Sequence, residues 1–376
     1  MTKVLAYTSP MSGHLYPVVP ILQELKRRGH AVAVRAASAS VTDLRVLGMD
    51  AHALSSAVEA IDNDDWQARS LGGSQRRAML AFGALAVAEA SGLAWAAWLP
   101  YPAWLRGRGV PPYGPGLRPM GGLAGRARDG VLGALGALGP GRRVAAAVNQ
   151  GRTVAGLGLL RSADSVLLRP PLVLAMTAEP FEYARTSWPS SFRFVGPCSW
   201  EPRTPTPEWL INDHRPVVLV STSSDFQDDG RLIATAFDAL RDRTDVLVVA
   251  TVPSEQMSFP RCPPNARVER FISHQAVLER AVAVVCHAGM GTTQKALAAG
   301  VPVCAVPFGR DQFEVARRLE VSGSGVRLPA RLLNVERLRT AIERTIECRP
   351  GAQRVARGFA ATGGAATAAT ELEALI

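Results

Sequence analysis

The chain opens with a short apolar run, Val4–Thr8, and a turn-rich stretch over 9–16 that holds Pro, Ser and Gly. Apolar residues then recur at helical spacing (Val18, Ile21, Leu22, Leu25) up to Lys26-Arg27-Arg28 and a terminating Gly29, which predicts strand, turn and helix. His30–Ala36 follows as a second strand, and strand–helix–strand is the opening of a doubly wound parallel sheet. A helix is predicted over Ala84–Ala90. Between about 100 and 155 the pattern degrades into a Pro- and Gly-rich loop (Pro111, Pro112, Gly114, Pro115, Gly116) and a weak Ala/Gly/Leu helix. Ser165–Leu168 and Leu172–Thr177 are predicted as two short strands.

Three prolines within Trp200–Trp209 (Pro202, Pro205, Pro207) predict an extended, semi-rigid connector. A second α/β unit follows: strands at Val217–Val220, Val246–Thr251, Arg267–Phe271, Val282–Cys286 and Val301–Val306, and helices at Gly230–Leu240, Glu336–Ile346 and the Ala-rich tail from Arg354. The expected organisation is a Rossmann-like lobe at 1–198, a linker at 199–212, a second Rossmann-like lobe at 213–358, and a C-terminal helix at 359–376 packing back on the first lobe. The fold class is α/β: two doubly wound domains facing across a cleft.

Composition narrows this picture. The 376 residues suit two domains, and 47% hydrophobic against 20% charged residues is a core-forming balance. Neither a secretory h-region nor a run of about 18 apolar residues is present, so a cytoplasmic protein without membrane insertion is expected. The five cysteines lack CxxC spacing, and Cys286 and Cys304 lie in apolar runs as expected of buried thiols. The net charge of +10 raises the question of nucleic acid. The arginines are scattered, however, and not interleaved with aromatics, so no nucleic-acid partner is expected and the charge suits an anionic nucleotide diphosphate.

The most informative segment is Val282–Pro302. A buried strand enters the turn His287-Ala-Gly289-Met-Gly291-Thr292, and a helix begins near Gly291–Thr293. Small residues let backbone approach a ligand, and free N–H groups at a helix start favour an anion. Thr292 or Thr293 is suited to cap that helix or donate to phosphate, and His287 to donate to a diphosphate oxygen. Asp311-Gln312, after the next strand, suits hydroxyl groups: the carboxylate accepts, and the amide both donates and accepts.

Together, His287-x-Gly289-x-Gly291-Thr292, Ala296-Leu297, Gly300-Val-Pro302, Pro307 and Asp311-Gln312 resemble the donor signature of family-1 glycosyltransferases of the two-lobed GT-B fold. The likeness is to actinobacterial enzymes that glycosylate polyketides, macrolides and related natural products. It implies that Phe271, with the backbone at Ile272, holds a pyrimidine base, and that the turn containing Ser223 and Ser224 contacts the diphosphate. Gly13-His14-x-x-Pro17 matches the family's catalytic-histidine motif, and Gly363-Gly-Ala-Ala-Thr its closing helix. One departure is Lys295, eight residues after His287, where many members carry a ribose-binding glutamate; a lysine cannot accept a hydroxyl, which leaves the ribose contact unassigned.

The resemblance implies inverting transfer of a sugar from a UDP- or TDP-sugar to a hydroxyl or amine of a small hydrophobic acceptor, by a monomer or homodimer. His14 is expected to act as base. Tyr101 and Trp104 are expected at the acceptor, and Trp95 in the core. No carboxylate partner for His14 is legible: Gln75–Ala84 runs almost directly into the next helix, and Asp62, Asp64 and Asp65 suit a solvated loop. Asp62-Asn63-Asp64 has DxD form but lies far from the phosphate turns, so no metal and no cofactor beyond the nucleotide sugar are expected. A sugar-nucleotide epimerase and a non-catalytic helper of the same fold remain the alternatives.

Overall fold

The computed structural model describes residues 1–61, 76–202, 204–224, 227, 229–253 and 261–376, with 76–81 as backbone. The described residues form twelve strands. Those of the first lobe are β1 (Lys3–Tyr7), β2 (Ala31–Ala36), β3 (Asp50–Ala53), β4 (Ala97–Leu99), β5 (Val173–Ala175) and β6 (Phe192–Phe194). The second lobe holds β7 (Val217–Ser221), β8 (Leu247–Thr251), β9 (Ala266–Glu269), β10 (Ala281–Cys286), β11 (Val303–Ala305) and β12 (Gly325–Arg327).

The second lobe forms one parallel sheet in the order β12-β11-β10-β7-β8-β9. Every residue of β7 and β8 is buried, as expected of strands covered by helices on both faces. One core packs the helices Met290–Ala298 and Arg349–Ala360 against one face, and another packs Arg231–Leu240 and Val335–Glu347 against the other. The strand order reverses between β7 and β10, which opens a crevice at their carboxyl ends.

The first lobe has the same order with one pairing missing. β1-β2-β3 and β4-β5-β6 are separate three-stranded parallel sheets, with no hydrogen-bonded pairing between β1 and β4 among the described residues. A shared core on one side joins them, built from Ala6, Val34, Leu174, Met176 and Val195. The opposite face of β1 is open, and Leu5 is 70% exposed.

Helix Gly364–Glu373 lies on the first lobe. It buries Ala368 and Ala369 in that lobe's core, and Glu373 pairs with Arg28 and His30. Gly196 admits the crossing chain, since a Cβ there would stand 2.5 Å from Thr362 Oγ1.

Three local expectations are corrected. Ser165–Leu168 belongs to a helix, Ala163–Leu168, because Ser162 accepts from the Ser165 N–H as N-cap. Trp95 is half-buried and stands outside the core clusters, since the residues before β4 run along the surface. Helix Met290–Ala298 is capped by Gly289, with no side-chain cap, and Thr293 turns inward to Cys286. Among the described residues no helix is long and apolar enough to cross a membrane.

Candidate active site

The residues expected at the donor gather at the β7/β10 crevice. His287 follows β10, and Gly289 leaves room for its ring, since a Cβ there would stand 2.2 Å from His287 Nε2. Ala288, between them, takes φ 67°, a left-handed conformation that an L-residue adopts at a cost of roughly 1–2 kcal/mol. Its strain sharpens the turn that aims His287. Gly291 is exposed with open space before it, and Thr292 is half-buried beside it. Thr293 makes the helix's bond back to the Gly289 carbonyl, so the N–H groups of the preceding turn face the crevice unused by the helix.

The facing turn follows β7. Ser223 is buried, with its N–H donating to Asp229 Oδ2 at 2.8 Å, while Ser224 is exposed. Asp229, fully buried, also accepts from Gln227 Nε2 at 2.9 Å and lies 3.9 Å from His287 Nδ1. Gln227 in turn accepts from Gln312 Nε2 at 2.7 Å. Gln312 Oε1 accepts from the N–H groups of Phe308 and Gly309. The Gln312 amide is therefore committed to shaping the 308–311 turn, and Asp311 is the member of the pair whose charge acts on Tyr101 and Tyr113. Burial raises its carboxyl pKa to about 6.

The nucleoside side departs from the motif in a coherent way. Phe271 is 44% exposed, an aromatic face available to a base, whereas Ile272 is buried in the core and offers only backbone. Lys295 donates to Glu201 of the linker at 2.8 Å. Glu201 also accepts from Ser273 Oγ and from the N–H groups of His274 and Gln275. Lys295 and these donors hold its carboxyl down at about 2 despite burial. A carboxylate is thus present beside Lys295, delivered by the linker, and the only signal for it in the sequence was the lysine.

In the first lobe, where the acceptor is expected, His14 lies on the one-turn helix Ser12–Leu15 after β1, and Trp98 Nε1 donates to its carbonyl at 3.1 Å. Its ring stands 5.7 Å from that of Tyr101. Tyr101 stacks on Trp104 at 5.7 Å, and Trp104 meets Phe82 and Tyr113 edge-on. Phe82 and Tyr113 escaped the sequence reading because they come from a helix and a loop with no local chemical signature. Burial lowers the His14 pKa to about 4, and burial followed by the Asp311 charge raises the Tyr101 phenol.

The two sides meet across the lobes. Glu314, one turn into helix Gln312–Ser322, accepts through Oε1 from the N–H groups of Gly114 and Gly116 at 2.7 and 2.9 Å. Its Oε2 accepts from Arg318, which also donates to Glu182 at 2.6 Å, all three side chains being buried. Gly116 has φ +61°, and a Cβ there would strike the Phe313 carbonyl at 2.3 Å. The loop carrying Tyr113 is therefore seated on the helix that begins beside Asp311. Asp62, Asp64 and Asp65 lie outside the described residues.

Comparison with known proteins agrees with this geometry. A family model described as erythromycin biosynthesis protein CIII-like, C-terminal domain, matches residues 235–375. The 4'-demethylrebeccamycin synthase of Lentzea aerocolonigenes is 31% identical over 389 aligned positions, covering 92% of each chain. The structure of the kitacinnamycin glycosyltransferase superposes with TM-score 0.74 at 22% identity, covering 100% of this chain and 98% of that one. Glycosyltransferase VinC in complex with DTDP does so with TM-score 0.67 at 20% identity, covering 100% and 99%. With its doubly wound donor lobe, its facing acceptor lobe and a full-length relative of this similarity, the chain belongs to the GT-B family-1 glycosyltransferases, of the actinobacterial natural-product type associated with antibiotic biosynthesis.

Proposed function

We propose that this enzyme transfers a sugar, with inversion, from a TDP- or UDP-sugar to a hydroxyl of a small, lipophilic aromatic or polyketide-like acceptor, without a metal ion. The observation that carries the proposal is that His14 meets Tyr101 in an aromatic wall whose Tyr113 loop is seated, through Glu314, on the helix that begins beside Asp311.

In this reading the base stacks on Phe271, and the diphosphate lies between the Ser223–Ser224 turn and the start of helix Met290–Ala298. His287 and helix N–H groups meet the charge that develops on the leaving group. Asp311 accepts from a sugar hydroxyl. The acceptor rests on Tyr101 and Trp104, with Tyr113 as a further wall. His14 Nε2 takes the acceptor proton as the oxygen bonds to the anomeric carbon. The bond from that carbon to the diphosphate oxygen breaks, its electron pair leaving with the nucleotide, and the imidazolium then releases its proton to solvent. The relatives' chemistry and the acceptor-facing histidine favour transfer over epimerisation or a helper role.

A thermal-shift panel with TDP, UDP and GDP tests the donor half, because a ligand that binds only the folded state stabilises it by mass action. TDP or UDP is expected to raise the Tm and GDP not to. With the matching donor sugar and an aromatic acceptor, the product is expected to carry the opposite anomeric configuration by NMR, at a rate EDTA does not change. Retained configuration would refute the single-displacement mechanism, and loss of turnover in EDTA would refute metal independence.

A further inference from the structure

A general base must be held in one tautomer. For Nε2 of a neutral imidazole to accept a proton, Nδ1 must already carry its hydrogen and needs an acceptor for it. A carboxylate meets that need and also stabilises the imidazolium by charge.

No carboxylate does so here among the described residues. Ser9 Oγ lies 2.6 Å from His14 Nδ1. The serine is 2% exposed, in the turn after β1, and its backbone carbonyl is anchored by Thr8 Oγ1. Tyr101 also stands against the ring, and Trp98 donates to the His14 carbonyl. Burial lowers the ring's basicity.

We propose that Ser9 is the positioning residue of His14, its hydroxyl oxygen accepting the Nδ1 hydrogen in the role that a carboxylate would otherwise fill. This rests on the reading of His14 as the base. It has two chemical consequences. A hydroxyl can also donate, so it selects the Nδ1–H tautomer less strictly than an acceptor-only carboxylate. It also supplies a dipole rather than a charge, so the ring stays neutral across the physiological range. The base form is thus always available, at the expense of basicity.

The test combines kinetics with NMR of histidine labelled in the ring, His14 being assigned among the six histidines from the spectrum of His14→Gln. Ser9→Ala is expected to lower kcat about ten- to hundredfold with acceptor KM unchanged. It is also expected to shift the ring nitrogen resonances of His14 toward tautomer exchange, while Ser9→Thr restores both. Ser9→Asp is expected to raise the His14 pKa by about one to two units, since an adjacent opposite charge favours the imidazolium. Unchanged kcat and unchanged ring resonances in Ser9→Ala would overturn the assignment of Ser9. If instead His14→Gln transferred sugar at the wild-type rate, the base role itself would fall, and the assignment with it. Because the resonances report the hydrogen bond without turnover, the two failures are separable.

Discussion

The two lobes share one strand order but not one degree of completion. The donor lobe closes β12 to β9 into a single sheet cored on both faces, and its site is prebuilt from buried groups: Asp229, Gln227, Gln312 and the strained Ala288. Among the described residues the first lobe has no pairing between β1 and β4, leaves Leu5 exposed, and sets a serine hydroxyl rather than a carboxylate against His14 Nδ1. Its aromatic wall includes Tyr113, from a loop seated on the other lobe through Glu314. The contrast teaches where tolerance lies: nucleotide recognition demands rigid backbone geometry, while a pocket for a lipophilic acceptor needs apolar area and one well-held base.

The contrast is open to direct attack. The largest expected effect is that of His14→Ala, which should lower transfer by about 10²- to 10⁴-fold while leaving the nucleotide-induced Tm shift intact; loss of that shift as well would mean the two halves are not separable. Next, Arg318→Met should destabilise the fold by roughly 3–5 kcal/mol, because Glu182 and Glu314 would remain buried and uncompensated. Urea unfolding reads this, and a small change would mean the lobes part without cost. The two sheets themselves are compared by Leu219→Ala and Leu5→Ala. The first should cost roughly 2–5 kcal/mol and the second within about 0.5 kcal/mol. An equal cost at Leu5 would show that the open strand is covered in solution.

Within the donor site, Gly289→Ala should displace His287 and weaken TDP or UDP binding by roughly 1–3 kcal/mol, the usual cost of overpacking, measured by calorimetry. The smallest effect is on pH dependence. Asp311 ionises above about 6, so if its carboxylate accepts from the sugar, kcat/KM for the donor should fall as pH drops below 6. His14, neutral down to about 4, contributes nothing in that window. Asp311→Asn should lower the plateau and abolish the limb at 6; persistence of the limb would remove Asp311 from the sugar subsite.

The strand–turn–helix expected at the donor was legible because its residues are contiguous. A buried strand, a glycine turn and a helix start lie within Ala281–Ala298, so residue type and spacing alone locate that turn. The Pro-rich connector and the alternation of strand and helix were equally local. The expectation at Ser165–Leu168 failed because a short apolar run carries no period, and the capping hydroxyl of Ser162 decided the matter.

What local pattern could not reveal was partnership between distant positions. Glu201 meets Lys295, Gln227 meets Gln312, Glu314 meets the loop at Gly114–Gly116, and Arg318 meets Glu182. Each pair joins segments far apart in the chain, and an isolated Glu or Arg looks the same whether it is solvated or buried. Even Ser9 and His14, five residues apart, become partners only because the turn after β1 folds the serine back under the ring. The sequence by itself determined the α/β architecture and the strand–turn–helix at His287–Thr292, since those follow from local periodicity and residue type. Which charges neutralise one another, which aromatics share a wall and what meets His14 were decided by tertiary packing within and between the lobes, where long-range burial sets the energy.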